Sequence, residues 1–451
     1  MGELFGTDGI RGVANRYPLD CETVIKAGRA IAAFFDDQRQ GARHFLIGRD
    51  TRISGDMIAG ALAAGICSMG KDVYLAGVIP TPGIAYLTAS NGFDAGIVIS
   101  ASHNPFRDNG IKLFNADGYK LSDDAERSIE KSIKNGRSLC EKSRAIDRVG
   151  TVHHVDDAHA RYCSFLKGCL ALGTSLAGRK LVIDCSNGAA STIAAALFEK
   201  LGAGVETICS TPDGININDN CGSQHPEALA ARVVEARADL GLAFDGDADR
   251  LIAVDEQGRI LTGDQIMAIC AQAMKANGQL IHSVVVTTVM SNLGFGEALK
   301  KMGIRHIKTQ VGDRYVMQEM VKAGAALGGE DSGHMIFLNH HTTGDGLLAA
   351  LKLLEAMQSS RKALSELATV MTVFPQCLIS VDVTSKPPID TIHTLKQAIE
   401  TAEKQLGDKG RVLVRYSGTQ PQCRVMVEGP TEQETTALCR QIAAVVTREL
   451  G

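Results

Sequence analysis

The sequence has no run of 18 apolar residues, which excludes a conventional transmembrane helix. Its 12 cysteines include no C-x-x-C pair, so neither a structural zinc site nor a disulfide framework is expected, and a reduced, cytoplasmic chain fits better. It lacks a basic excess: Lys plus Arg is 47, Asp plus Glu is 51, and the net charge is -4. That balance argues against nonspecific nucleic-acid binding by a broad basic face and still allows a local basic pocket. The first charged, glycine-rich motif begins at Phe5, which leaves no room for a signal peptide. No G-x-S-x-G elbow and no Walker A segment occur, so acyl transfer and nucleotide binding have no support. Collagen, coiled coil and secreted mini-protein are excluded as well.

What is present suits a large folded chain. Its 451 residues are 45% hydrophobic and 22% charged, enough to bury a sizeable core. The 47 glycines cluster in short polar loops. From His44 onward, short apolar runs alternate with helical periods: strand His44–Gly48, helix Asp56–Ser68, strand Asp72–Leu75, helix Thr81–Ala89, strand Gly96–Ser100. This βαβαβ order predicts a mainly parallel sheet covered by helices. The order repeats with strand Lys180–Asp184, helices Ala189–Lys200 and Pro226–Ala236, and strand Leu240–Phe244. A third round runs from helix Asp264–Met274 to helix Asp313–Val321 and the strand Ala325–Gly328. The tail differs: Val373–Val383 alternates, Ile389–Lys404 is helical, and Thr431 with Glu434 forms a capping box. The expected fold class is α/β, with three similar mixed α/β domains (1–150, 151–255, 256–370) and a smaller C-terminal α+β domain (371–451) around a central cleft.

Each larger unit runs an apolar strand into a polar loop and out along a second apolar strand: GIVIS–ASHNPFRDNG–IKLF, LGLAF–DGDADR–LIAVD and AALGG–EDSGH–MIFL. Ligands of open α/β sheets bind beyond the carboxyl ends of strands, so these loops are expected to share one cleft. Asp245, Asp247 and Asp249 fall at alternate positions after a buried strand and can converge on a hard cation such as Mg²⁺. An EF-hand is the rival, with Glu256 at loop position 12, but Arg250 occupies the position where the turn needs Gly. A solvated acidic turn is the plainer alternative, and it leaves three repelling carboxylates unneutralised.

Ser102, in S-H-N-P directly after GIVIS, is placed to carry a phosphoryl group beside that cation. Lys112, in the returning strand Ile111–Phe114, can fold back toward it and exchange a proton with a hydroxyl. Glu330, Ser332 and His334 offer carboxylate, hydroxyl and imidazole for the vicinal hydroxyls of a sugar, although such glycine-rich loops also serve as plain turns. Arg415, Ser417, Gly418, Thr419 and Arg424 have the composition of an anion nest with guanidinium support, or of an ordinary turn between strands. Arg11, in G-T-D-G-I-R-G, either reaches a phosphate or braces its loop. His225, His306, His340 and His341 read as surface or packing residues.

Taken in order, FGTDGIRG, SASHNP with NGIKLF, DGDADR, GGEDSGH and RYSGTQP resemble the α-D-phosphohexomutase superfamily along the whole chain. NINDNCGSQHPE (216–227), QVGDRYVMQEM (310–320) and CRVMVEG (423–429) resemble its amino-sugar branch. The resemblance implies an isomerase that converts glucosamine 6-phosphate to glucosamine 1-phosphate reversibly. It would work through a phosphoserine and a glucosamine 1,6-bisphosphate intermediate or activator, and supply amino-sugar nucleotide and peptidoglycan precursor synthesis. Ser102 matches the phosphoserine and, with Asp245, Asp247 and Asp249, the Mg²⁺ ligands, one ion per subunit. Lys112 matches the general acid/base, with Arg11 and His103 supporting the phosphoryl site. Glu330, Ser332 and His334 match the sugar loop, Arg415, Ser417, Gly418 and Thr419 the distal phosphate loop, and Arg250 and Arg424 join the substrate-binding set. A mobile tail domain would let the intermediate reorient without escaping. The implied partner is a small sugar phosphate, with no nucleic acid and no membrane; a homodimer is left open.

Two positions depart from the family pattern. Gln420 replaces the acid of S-G-T-E-P, and Asp331 stands where the amino-sugar branch usually has Gln. Asp331 is expected near the C2 ammonium, and an Asp331→Asn variant with unchanged sugar preference would remove that idea. Three other activities are compatible with the motifs: a phosphomannomutase/phosphoglucomutase of broader specificity, a Mg²⁺-dependent sugar phosphatase, and a silent sugar-phosphate binder. The last has no need of a phosphoryl carrier.

Overall fold

The computed structural model describes residues 4–6, 8–38, 41–135, 148–417 and 421–451. Packing divides the chain into two units, one running to residue 289 and including 307–369, the other comprising 290–306 and 370–451. No helix among the described residues is long and apolar enough to cross a membrane.

The first sheet of the larger unit contains β1 (Phe5–Gly6), β2 (Gly9–Val13), β3 (His44–Arg49), β4 (Asp72–Val78), β5 (Ala95–Ile99), β6 (Asp108–Asn115) and β7 (Val152–His154). Their order is β1-β2-β6-β5-β3-β4-β7. β3 pairs in parallel with β4 and β5, and β4 with β7, whereas β5–β6, β2–β6 and β1–β2 are antiparallel. The βαβαβ strands β3, β4 and β5 are thus parallel as expected, and the sheet is mixed because the serine loop turns the chain straight back into β6, beside which β2 and β1 add further antiparallel strands. The glycine-rich segment around Arg11 is also a strand rather than a loop, with Arg11 opposite Gly110 of β6.

Alternation sends Phe45, Ile47, Ile97 and Ile99 to one face, against helices Cys21–Gln38 and Gly55–Cys67. Leu46, Val98 and Phe114 go to the other face, where they meet helix Thr81–Ser90. Register places Lys112 opposite Val98, so its side chain emerges on this second face.

The second sheet has β8 (Lys180–Asp184), β9 (Gly204–Ile208), β10 (Leu240–Phe244), β11 (Leu251–Asp255) and β12 (Ile260–Leu261), in the order β12-β11-β10-β8-β9. β10 and β11 are antiparallel across the loop Asp245–Arg250. The expected helix Ala189–Lys200 is broken into a 3-10 turn (Ala189–Thr192) and a short helix (Ala194–Glu199) by Ile193, whose φ is -139°. The third sheet has β13 (Val284–Thr288), β14 (Arg305–Thr309), β15 (Leu327–Gly329) and β16 (Met335–Phe337), in the order β14-β13-β15-β16.

Helix Gly346–Ser360, which the sequence reading did not identify, is buried over most of its length. Its N-cap is Asp345, whose carboxylate accepts from Leu348 N at 2.9 Å and from the Tyr162 hydroxyl at 2.7 Å. Burial raises the Asp345 carboxyl from 3.8 to about 7 despite these bonds. Between the two values the unfolded chain releases a proton that the folded chain keeps. The stability from this group is therefore complete below about pH 4 and lost as pH rises through about 7. In thermal unfolding, wild type relative to Asp345→Asn should lose the equivalent of a few kcal/mol across that window; parallel pH profiles would contradict this.

In the smaller unit, β17 (Gln376–Asp382), β18 (Arg411–Tyr416) and β19 (Gln422–Glu428) form an antiparallel sheet with β19 central. Val425 and Val427 pack with Leu395 of helix His393–Leu406 and with Ile442 and Val446 of helix Glu432–Leu450. Thr431 caps the last helix by accepting from Glu434 N, which is the first half of the expected capping box, while the Glu434 carboxylate accepts from Gln405 Nε2 at 3.2 Å.

Candidate active site

Ser102 sits at the tip of β5 in the left-handed region, with φ 52°, a conformation that L-residues keep only when their surroundings hold it. The surroundings are specific. Ser102 N donates to Ser100 Oγ (2.9 Å), and Ser100 Oγ donates to Asp50 Oδ2 (2.6 Å). The fully buried Arg52 donates Nε to Asp50 (2.9 Å) and its two terminal nitrogens to the carbonyls of Ser102 (2.9 Å), Asn104 (2.8 Å), Asp108 (2.9 Å) and Pro105. Asn218 Nδ2 also donates to the Ser102 carbonyl at 2.9 Å. The loop is thus cast around one guanidinium, and Ser102 Oγ is aimed at Asp245 Oδ2, 2.5 Å away. His103 Nδ1 lies 3.3 Å from the same hydroxyl. Burial, reinforced by Arg250 and Arg11, lowers the imidazole to about 4, so it is neutral near pH 7.

Asp245, Asp247 and Asp249 each offer an oxygen, and these atoms lie within 4.8 Å of one another. Burial and then the charges of Asp249 and Asp247 push the Asp245 carboxyl well up. Among the described residues, Asp247 Oδ1 and Asp249 Oδ1 are buried without a hydrogen-bond partner. Unsatisfied buried carboxylate oxygens are costly, and a hard cation satisfies all three groups at once; the residues fit a metal. Thr81 Oγ1 (2.6 Å) and Lys112 Nζ (2.8 Å) both donate to Asp247 Oδ2, the oxygen left over.

Gly246 permits the approach of the two loops. A Cβ there would stand 2.6 Å from the Ser102 carbonyl oxygen and 2.8 Å from Asn218 Nδ2. Gly246→Ala is expected to destabilise the fold by about 1–3 kcal/mol and to lower turnover roughly 100-fold through displacement of the serine loop. Thermal unfolding and turnover assays read both, and wild-type turnover would refute the packing argument.

Lys112 Nζ is 3.2 Å from Asp8 and 3.6 Å from Asp249 as well. Burial opposes its charge, but Asp247, Asp8 and Asp249 outweigh it and hold the amine as an ammonium. Asp8 also receives Arg11 (2.7 Å) and Lys120 (2.6 Å), and Lys120 continues to Asp313 at 2.5 Å. His334 stands between Asp249 and Asp313, 3.5 Å from each. Burial works against its protonation, yet Asp249 and Asp313 raise its pKa. Arg250 lies 3.7 Å from Asp249, and its backbone bridges that of His334. Among the described residues, Arg11, Arg250 and Ser332 each keep a buried polar side-chain atom without a partner (Nε, Nε and Oγ), and Glu330 accepts from Gly312 N at 3.0 Å. Asp331 turns its Oδ1 to Asp264 N, 3.3 Å away, at the start of helix Gly263–Ala276.

Ser102, His103, Lys112, Arg11, the three aspartates, Arg250 and His334 thus come together. Asp8, Asp50, Arg52, Ser100, Thr81, Lys120, Asn218 and Asp313 were missed. Asp8 in GTDGIRG, Ser100 in GIVIS, Asn218 in NINDNCGSQHPE and Asp313 in QVGDRY lie in motifs already noted, whereas Asp50, Arg52, Thr81 and Lys120 carry no such signal.

In the smaller unit, register sets Arg415 of β18 against Arg424 of β19. Burial and then the neighbouring Arg424 lower the Arg415 pKa, and Arg424 Nε is buried without a partner among the described residues. Lys386 Nζ donates to the Ser417 carbonyl at 2.7 Å, a cation the sequence reading did not include. Gly418, Thr419 and Gln420 lie outside the described residues.

Four domain families match the chain: phosphoglucomutase/phosphomannomutase alpha/beta/alpha domain I over 2–139, domain II over 160–258, domain III over 262–374 and the C-terminal domain over 378–445. The chain belongs to the phosphoglucomutase/phosphomannomutase family, whose members are phosphotransferring isomerases. Its relatives include the phosphoglucosamine mutases of Syntrophus aciditrophicus, 56% identical, and Syntrophobacter fumaroxidans, 55% identical, each over 451 residues and 100% of both chains. Among solved structures, a phosphoglucomutase/phosphomannomutase family protein from Burkholderia thailandensis aligns with TM-score 0.82 at 25% identity, over 99% of this chain and 98% of that one. The Aspergillus fumigatus N-acetylphosphoglucosamine mutase, solved with GlcNAc-6P and magnesium, shares the fold at TM-score 0.67 and 16% identity, over 99% of this chain and 95% of that one.

Proposed function

We propose that the chain interconverts glucosamine 6-phosphate and glucosamine 1-phosphate through a phosphorylated Ser102 and glucosamine 1,6-bisphosphate. The observation that carries this reading is the Ser102 hydroxyl, 2.5 Å from Asp245 at the rim of a buried three-aspartate cluster. Asp245, Asp247 and Asp249, with the phosphorylated Ser102, would hold one Mg²⁺ per subunit. That ion supplies charge stabilisation to the phosphoryl group in flight.

In the forward half-reaction the Ser102 O–P bond breaks as a sugar hydroxyl forms its own O–P bond. Lys112 gives its proton to the departing serine oxygen and regains one from the attacking hydroxyl. Neutral His103 and the guanidinium of Arg11 steady the phosphoryl oxygens. In the second half, Ser102 reclaims the phosphoryl group from the opposite end of the bisphosphate. Glu330, Ser332 and His334 orient the sugar, Arg250 adds positive charge, and Arg415, Ser417, Gly418, Thr419 and Arg424 bind the phosphate that is not being transferred. The four-part division at 1–150, 151–255, 256–370 and 371–451 belongs to this reading, supported by the four sheets, although β7 (Val152–His154) joins the first sheet and β12 (Ile260–Leu261) the second. So does a cytoplasmic setting, where the sugar phosphates of precursor synthesis are found.

The decisive comparison is kcat/KM for glucosamine 1-phosphate against mannose and glucose 1-phosphates. A preference of at least ~10-fold for the amino sugar is expected, the scale at which pocket contacts discriminate. Equal use of all three would indicate a broad phosphohexomutase, and steady phosphate release without isomerisation would indicate a phosphatase.

A further inference from the structure

A second group of ligand-type side chains lies behind the serine loop and is not used by the phosphoryl-transfer reaction. Asp184 ends β8, Cys209 follows β9, and Cys221 precedes the 3-10 turn Gly222–Gln224. Each offers one ligand atom, and these atoms lie within 4.8 Å of one another. Asp184 and Cys221 are buried, while Cys209 is partly exposed and marks the side open to solvent. The Asp184 carboxylate is already oriented: Oδ1 accepts from Ser186 N at 2.8 Å and Oδ2 from Gly222 N at 2.8 Å. Each oxygen keeps a second lone pair, and such outer bonds are what fix a ligating carboxylate.

The donor set decides the kind of ion. Two thiolates and one carboxylate are too soft for Mg²⁺ and suit a d10 cation with affinity for sulfur. Three protein ligands leave a position for water on the exposed side. Without a cation, burial and Asp184 push both thiols up, so they stay protonated. A bound cation reverses that balance by taking the thiolates as ligands and releasing their protons.

We propose that Asp184, Cys209 and Cys221 form a binding site for a thiophilic d10 divalent cation, Zn²⁺ or its spectroscopic counterpart Cd²⁺, separate from the Asp245–Asp247–Asp249 cluster. The ion would clasp both ends of the segment 209–221. That segment carries Asn218, whose Nδ2 holds the carbonyls of Ser102 (2.9 Å) and Asn104 (3.0 Å). It also accepts from Ile53 N through the Gly214 carbonyl at 2.9 Å. Occupancy therefore stiffens one wall of the serine loop.

The test is titration of the reduced full-length protein with Cd²⁺ in excess Mg²⁺, following the ultraviolet thiolate-to-metal charge-transfer band. The band should saturate at one equivalent per chain, disappear in Cys209→Ser and in Cys221→Ser, and persist in Cys67→Ser and Asp245→Asn. Zn²⁺ should raise the melting temperature of wild type and leave that of Cys209→Ser unmoved. Should a serine variant fail to fold, alkylation of wild type gives an independent reading, because Zn²⁺ should protect Cys209 and Cys221 selectively. A band that survives in folded Cys209→Ser and Cys221→Ser, loss of the band in Asp245→Asn, or unprotected Cys209 and Cys221 would overturn the assignment.

Discussion

Ser102→Ala should lose turnover by roughly four orders of magnitude or more, the scale seen when a covalent nucleophile is removed, while melting close to wild type. The bonds that hold the loop do not pass through Oγ. Ser102 N is bound to Ser100, and the Ser102 carbonyl is held by Arg52 and Asn218. Alanine meets the same strain at φ 52° as serine does, so the backbone has no new reason to move. The side-chain bonds removed are the one to Asp245 and the weaker contact with His103. A coupled mutase assay gives the rate, and phosphopeptide mapping of wild type should find phosphate on Ser102. Mutase turnover near wild type in the variant, with the phosphate elsewhere, would remove the carrier role from this residue.

The same residues show which parts of the site could be read in the sequence. Ser102 and the three aspartates lie within single strand–loop–strand segments, where an all-buried strand next to a polar loop is unmistakable. Most of their supports are not. Arg52, Thr81 and Asp313 are ordinary polar residues in other segments, and only the fold brings Thr81 to Asp247 and Asp313 to Lys120.

Elements were lost for related reasons. Helix Gly346–Ser360 is buried on most sides, so it has little amphipathic period to detect. Strand β2 was hidden by its glycines, which read as a loop until β6 supplies a partner. The parallel run β3, β4 and β5 was legible from the βαβαβ order, whereas the antiparallel β2 beside β6 was not, and the alternation over Val373–Val383 marks the strand Gln376–Asp382, exposed on one face.

Arg52 is the support with the largest expected consequence. Its side chain is wholly buried, pairs with a wholly buried Asp50, and donates to four carbonyls of the loop that carries Ser102. Removing one partner from a buried ion pair costs about 3–5 kcal/mol, because the other charge remains uncompensated. Arg52→Met adds to this the loss of four acceptors' partner, so a large fall in melting temperature is expected. Arg52→Lys separates positioning from stability. An ammonium keeps the charge beside Asp50, but three donors on a flexible stem cannot reproduce a planar fork spanning four carbonyls. The lysine variant should fold and bind substrate with nearly unchanged KM. Its kcat should fall roughly 100-fold, as expected when a reacting atom is displaced by about 1 Å. A residue that merely filled space would leave kcat untouched once the protein had folded. Wild-type kcat in folded Arg52→Lys would therefore show that the loop keeps Ser102 in place without this guanidinium.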